Sequence, residues 1–169
     1  MKKRLPIGND DFAEVRRQNL YFIDKSLMIR DFLDTGDKVT LITRPRRFGK
    51  TLNMTMLREF FDITKDSRQL FQGLSIMDTE YASQINSRPV IFLTLKDCKG
   101  TTAQEMLLLM KKQIYLEYMR YEKNMKGKLD EASLLAQDFR AMIDVLRDPA
   151  SLPVLFTDSI RLLCQIIRE

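Results

Sequence analysis

Histidine is absent from all 169 residues of this chain, and that absence removes whole classes of chemistry. Ser-His and Cys-His nucleophiles, histidine metal sites and histidine general bases are excluded. Cysteine is nearly absent: Cys98 and Cys164 have neither metal-ligand nor redox-motif spacing and read as two reduced thiols. No apolar run approaches the roughly 20 residues that a membrane helix needs. Met1-Lys2-Lys3-Arg4 leads into Leu-Pro-Ile-Gly, not into a long apolar signal core, so a cytoplasmic protein without membrane contact is expected. Internal repeats and low-complexity segments are also missing. What remains, 44% hydrophobic and 30% charged residues, describes one globular domain spanning residues 1–169 with a core of its own.

The stretch that organises the chain is Val39 to Phe61, VTLITRPRRFGKTLNMTMLREFF. A short apolar run is followed by a loop with three arginines, and then Gly49-Lys50-Thr51 opens an apolar-periodic segment. This is the order of a strand, a phosphate-binding turn and a helix. A tight glycine turn lets successive backbone N–H groups converge on phosphate oxygens, and the following helix aims its positive end at the same point. The spacing gives the cradle as Arg46, Arg47, Phe48, Gly49, Lys50, Thr51 and Leu52. Lys50 reaches the outer phosphates and the Thr51 hydroxyl holds magnesium. The usual pattern G-x-x-x-x-G-K-S/T is incomplete, because Arg44 stands where the first glycine belongs. A plainer reading makes Arg44, Arg46 and Arg47 a solvated basic loop that pairs with carboxylates elsewhere. The charge distribution weighs against it. The first sixty residues carry 13 basic and 8 acidic side chains, leaving 15 of each for the remainder, so the whole net charge of +5 lies in the part containing the loop.

The lead-in, residues 1–38, has turn chemistry at Pro6 and Gly8-Asn9, then a short amphipathic helix around Phe12 and Val15 capped by Asp10 or Asp11. Leu20 to Ile23 reads as extended, with Tyr21 and Phe22 as core residues in preference to contacts for a nucleotide base. Ser26 is placed to cap a helix running to Gly36. In the middle part, 39–100, Leu52, Met56, Leu57, Phe60 and Phe61 mark the buried face of the helix after the loop. Pro89 to Leu95 is apolar without alternation, the mark of a strand buried on both faces. From Thr101 onward, 101–169, the chain reads as helical, with breaks at Asn124 to Gly127 and Asp148-Pro149 and a last helix burying Ile160, Leu163, Cys164 and Ile167.

The string RPRRFGKTLN, with the upstream PIGNDDF (Pro6 to Phe12) and YFIDKS (Tyr21 to Ser26), resembles the bacterial AAA-ATPase-like family, whose members often carry a C-terminal domain like that of restriction nucleases. The resemblance implies an α/β fold of P-loop NTPase type, an incomplete parallel sheet flanked by helices with a helical C-terminal half. It also implies ATP and Mg2+ as ligands, with Arg at position 44 part of the family's own loop. Asp24 and Lys25 are similar to an aspartate-lysine pair of the family, without an assigned role.

A last absence bears on mechanism. Hydrolysis in this class needs an apolar strand ending in an aspartate that orients magnesium. The internal candidate is Asp97, with capping or salt bridging at the strand end the favoured alternative. In the family the acidic strand follows the helix that here ends at Glu169, so the chain is expected to be a truncated domain that binds nucleotide and is hydrolysis-deficient alone. Two other readings stand beside this one. One is a nucleic-acid-binding or nuclease-associated module using Lys2, Lys3, Arg4, Arg16, Arg17 and the loop arginines Arg44, Arg46 and Arg47 against phosphates. The other is an interaction fragment that self-associates or assembles with a longer homologue.

Overall fold

The structure is a computed structural model and describes residues 3–43, 45, 48–125, 130, 132–151 and 157–168. The chain divides into two compact units, Met1–Val90 and Ile91–Glu169, each with its own core.

In the first unit, α1 (Phe12–Arg17) starts at Asp11, whose carboxylate accepts the Glu14 N–H at 3.0 Å. That bond satisfies one of the donors every helix start leaves open. α2 (Leu27–Thr35) ends at Gly36 in the left-handed conformation. Ser26 stands at its N-cap position, but its hydroxyl accepts the Ile76 N–H at 3.1 Å instead of capping the helix. α3 (Lys50–Phe61) follows Gly49. Three short 3-10 turns, Arg68–Phe71, Ser75–Asp78 and Glu80–Gln84, close the unit.

The core of this unit gathers Phe12, Ile29, Met56, Phe60, Phe71 and Ile76, all fully buried. Phe71 packs on Phe12 and edge-on to Phe60, with ring centroids 4.9 and 5.4 Å apart. Phe22 adds an edge contact to Phe12, while Tyr21 is half exposed. The open carbonyls at the end of α3 are met by Asn86, whose side-chain amide donates to Glu59 O and Asp62 O at 3.0 and 2.9 Å.

In the second unit, α4 (Ala103–Met125) begins with a reciprocal cap. The Thr102 hydroxyl accepts the Glu105 N–H, and the Glu105 carboxylate accepts the N–H groups of Thr101 and Thr102. α5 (Leu134–Arg147) is capped by Ser133. Its C-terminal end is held by the buried Lys111, whose ammonium donates to Asp148 O and Ser151 Oγ. α6 (Ser159–Ile166) buries Ser159, Leu163 and Ile166. Of the expected face, Leu163 is buried and Ile167 packs partly buried against the core, while Ile160 and Cys164 are exposed. The core is Tyr118, Phe139, Ile143, Leu146, Leu163 and Ile166. Tyr118 stacks on Phe139 at 5.0 Å and donates its hydroxyl to Ser159 O at 2.6 Å. Burial pushes the Tyr118 phenol up from its ordinary range.

The expected α/β fold with a parallel sheet is overturned. Among the described residues there is no strand, and the extended pairing is a single isolated bridge between Asp62 and Arg88. Val39 to Thr43 has no ladder partner, and Val39 and Leu41 are 85% and 82% exposed. Pro89 to Leu95 is irregular and Leu95 is 61% exposed. Apolar composition makes a strand only where neighbouring backbone supplies hydrogen bonds. Here the Phe92 N–H finds the Glu117 carboxylate at 3.2 Å instead.

Candidate functional site

The expected site residues fall at the start of α3. Gly49 has φ 71° and ψ 24°, a left-handed conformation that glycine adopts without strain and other residues rarely do. An added Cβ there would meet nothing within 4 Å, so the requirement for glycine is conformational. The turn delivers Lys50 and Thr51 as the first two residues of a helix of 12 residues, where backbone N–H groups lack intrahelical partners and the helix dipole is positive. Both side chains are exposed.

Gly49, Lys50, Thr51 and Leu52 line a cavity of about 630 Å³ with Pro6, Gly8, Asn9 and Asp10. The structure thus brings four of the expected residues together. Phe48 is 59% exposed and is not among the lining residues. Arg44, Arg46 and Arg47 lie outside the described residues. Asp97 is an exposed turn residue of the second unit and is not among those that line this cavity. The other lining residues, Pro6, Gly8, Asn9 and Asp10, were not among those expected at the candidate site. Their signal was present in the turn chemistry of Pro6 and Gly8-Asn9, but that chemistry gives a bend without saying which helix the bend meets.

Two residues of α3 bind this segment in place. The buried Thr55 hydroxyl accepts the Phe12 N–H at 3.0 Å and lies 3.4 Å from Asp10 O. One turn further, the Arg58 guanidinium meets the Asp11 carboxylate at 3.0 Å. Asn9 is oriented by its bonds to Glu14 and to the Asp11 N–H.

Asp24 has a structural task in the same unit. Its carboxylate accepts the N–H groups of Ser26 and Ser75 at 2.8 Å each, and the Ser75 hydroxyl at 2.9 Å. Burial pushes its carboxyl up, but hydrogen bonds from Ser75 and Ser26 outweigh this and hold it below the usual carboxylate range. Asp24 ties the entry of α2 to the 3-10 turn at Ser75, while Lys25 is exposed.

The donor set suits a magnesium-bound polyphosphate. A cavity of this size is in the range that holds small ligands, and its lining residues include a lysine, a threonine, an aspartate and the first residues of a helix. No cluster of three or more metal-ligating His, Cys, Asp or Glu exists among the described residues. Magnesium does not require one, since it is commonly held by one or two carboxylates together with substrate phosphates and water. Among the described residues no helix is long and apolar enough to cross a membrane.

A protein from Azotobacter chroococcum mcd 1, described as an uncharacterized protein in the vnfD 5' region, is 37% identical over 78 residues. That match takes in 46% of this chain and 14% of the relative, so the chain spans a small fraction of the relative's length. No solved structure matches. The family described as predicted AAA-ATPase matches residues 6–156, from the cavity wall at Pro6 past the end of α5, and the chain belongs to that AAA-ATPase-like family.

Proposed function

We propose that this chain binds the triphosphate of ATP, with Mg2+, at the N-terminus of α3. The observation that carries the reading is Gly49 in the left-handed turn, with Gly49, Lys50 and Thr51 among the residues that line one cavity. Lys50 supplies a positive charge to the outer phosphates. The N–H groups at the start of α3 donate to phosphate oxygens, and the Thr51 hydroxyl stands where a phosphate-bound cation needs an oxygen ligand. When bound, magnesium neutralises charge on the phosphates.

The reading is of binding, not turnover. Phosphoryl transfer to water needs a group that orients the nucleophile in addition to a group that holds the cation. Among the described lining residues Asp10 is the one carboxylate. The isolated chain is therefore expected to hydrolyse ATP no faster than background.

The nucleic-acid reading is weakened by Arg16. Its guanidinium donates to Leu70 O and Gln72 O at 2.7 Å each and lies over the Phe22 ring, so it is committed within the fold. Titrating the chain with ATP and magnesium, and separately with duplex DNA, from about 50 to 200 mM salt separates the two readings. Saturable ATP binding that survives the salt series is expected. Absence of ATP binding, with DNA binding that falls steeply across the series, would overturn the proposal.

A further inference from the structure

Independently of the nucleotide reading, we propose that the groove between α4 and the end of α5 docks an acidic amphipathic peptide of a partner protein. The peptide lays an apolar side chain between Leu108 and Leu116 and sets carboxylates against Lys112 and Arg147. The groove is a cavity of about 280 Å³ in the second unit, with a floor of Leu108, Tyr115, Leu116, Leu146 and Pro149. Leu108, Lys112, Tyr115 and Leu116 follow one another at helical spacing and share one face of α4, while Leu146 and Arg147 are the last two residues of α5. Leu108 and Leu116 stand two turns, or about 12 Å, apart and are 41% and 50% exposed. Met106 and Leu107, just before them, are exposed as well. Apolar side chains gathered on one helix face are normally buried, and an exposed group of them with a polar rim marks an interaction site.

The rim sets the chemistry of the partner. The remaining lining residues are Lys111, Lys112 and Arg147, and no carboxylate is among the described residues that line the cavity. The Lys111 ammonium is committed to Asp148 O and Ser151 Oγ, but Lys112 and Arg147 are exposed, one on each helix. Arg147 is steadied by a hydrogen bond with the Tyr115 side chain, and Asp144 and Glu122 act on it from outside the lining. A small molecule is the poorer occupant, because the cavity falls below the about 300–1,000 Å³ of small-molecule pockets, which enclose most of their ligand. Nucleic acid would meet the cations and leave the leucines without a partner. A second copy packed through the same face would set each basic rim against its like. An acidic amphipathic helix meets both features, with apolar anchors at helical spacing for the floor and carboxylates for the rim.

Fluorescence anisotropy with two labelled amphipathic peptides tests this. Both carry leucines at i, i+3 and i+7; one has glutamates flanking the leucines and the other has lysines there. The glutamate peptide should bind saturably, at least about tenfold more tightly than the lysine peptide. Leu116→Ala should weaken it at least about fivefold. Lys112→Glu should weaken it by a similar factor and tighten the lysine peptide. Both positions are exposed, so circular dichroism should show unchanged helix content, and if Leu116→Ala loses helix the Lys112→Glu exchange still reads the charge. Absence of saturable binding, equal binding of the two peptides, or variants that bind as the unaltered chain does would overturn the proposal. Self-association in sedimentation equilibrium that Leu116→Ala abolishes would overturn it in favour of a second copy. Pelleting with phosphatidylserine vesicles that the same variant abolishes would overturn it in favour of a membrane surface.

Discussion

Replacing Lys50 with alanine is expected to weaken ATP binding at least about a hundredfold while the fold stays intact. Lys50 is exposed and opens α3 from the cavity side, so its loss removes no core side chain, and alanine is the best helix former available for the position. The lost interaction is a charge-assisted contact to phosphate oxygens, worth about 1.5–3 kcal/mol for each hydrogen bond. A hundredfold change in affinity corresponds to about 2.8 kcal/mol. Titration of ATP-magnesium into both proteins, with far-ultraviolet circular dichroism to confirm equal helix content, reads the effect. Equal affinity in the two proteins would remove Lys50 from the site.

The largest expected effect on stability is at Glu59. This carboxylate is 1% exposed and is surrounded by donors. Lys65 lies at 2.9 Å, Arg58 at 3.3 Å and the Ser67 hydroxyl at 2.5 Å. Breaking a buried ion pair by removing one partner costs about 3–5 kcal/mol, because the remaining charge is left uncompensated. Arg58 keeps its contact with Asp11 and Lys65 is partly exposed, which places Glu59→Ala near the lower end, at about 3 kcal/mol. Lys65→Ala should cost under about 1 kcal/mol, since its ammonium reaches solvent. Urea denaturation followed by circular dichroism distinguishes them. A Glu59→Ala chain within about 0.5 kcal/mol of the unaltered protein would show that the buried carboxylate contributes nothing net.

Helices were legible in this sequence where local rules agreed with packing. Apolar spacing marked Met56, Phe60 and Phe61 as the buried face of α3, and Asp11 was one of two residues named as the cap of α1. Ser26 shows the limit of those rules. It has the residue type and position of a cap, yet tertiary structure gives its hydroxyl to Ile76. The sheet was misread for a deeper reason. Val39 to Thr43 and Pro89 to Leu95 have strand composition, but a strand is a property of paired chains, and apolar runs do not reveal whether a partner exists. Of the candidate site, the part formed by Gly49, Lys50 and Thr51 is contiguous in the sequence, so a local pattern could propose it. The part carried by Pro6 to Asp10 depends on bonds such as Phe12 to Thr55, 43 positions apart, which no local pattern encodes.

The central claim is that ATP phosphates bind at the start of α3, and amide chemical-shift mapping of this 19.9 kDa chain tests it most directly. Adding ATP and magnesium should shift the amides of Gly49, Lys50, Thr51 and Leu52 first and furthest, followed by Gly8 to Asp10. Shifts confined to Lys3, Arg4, Arg16 and Arg17, or no saturable shift anywhere in Gly49 to Leu52, would contradict it.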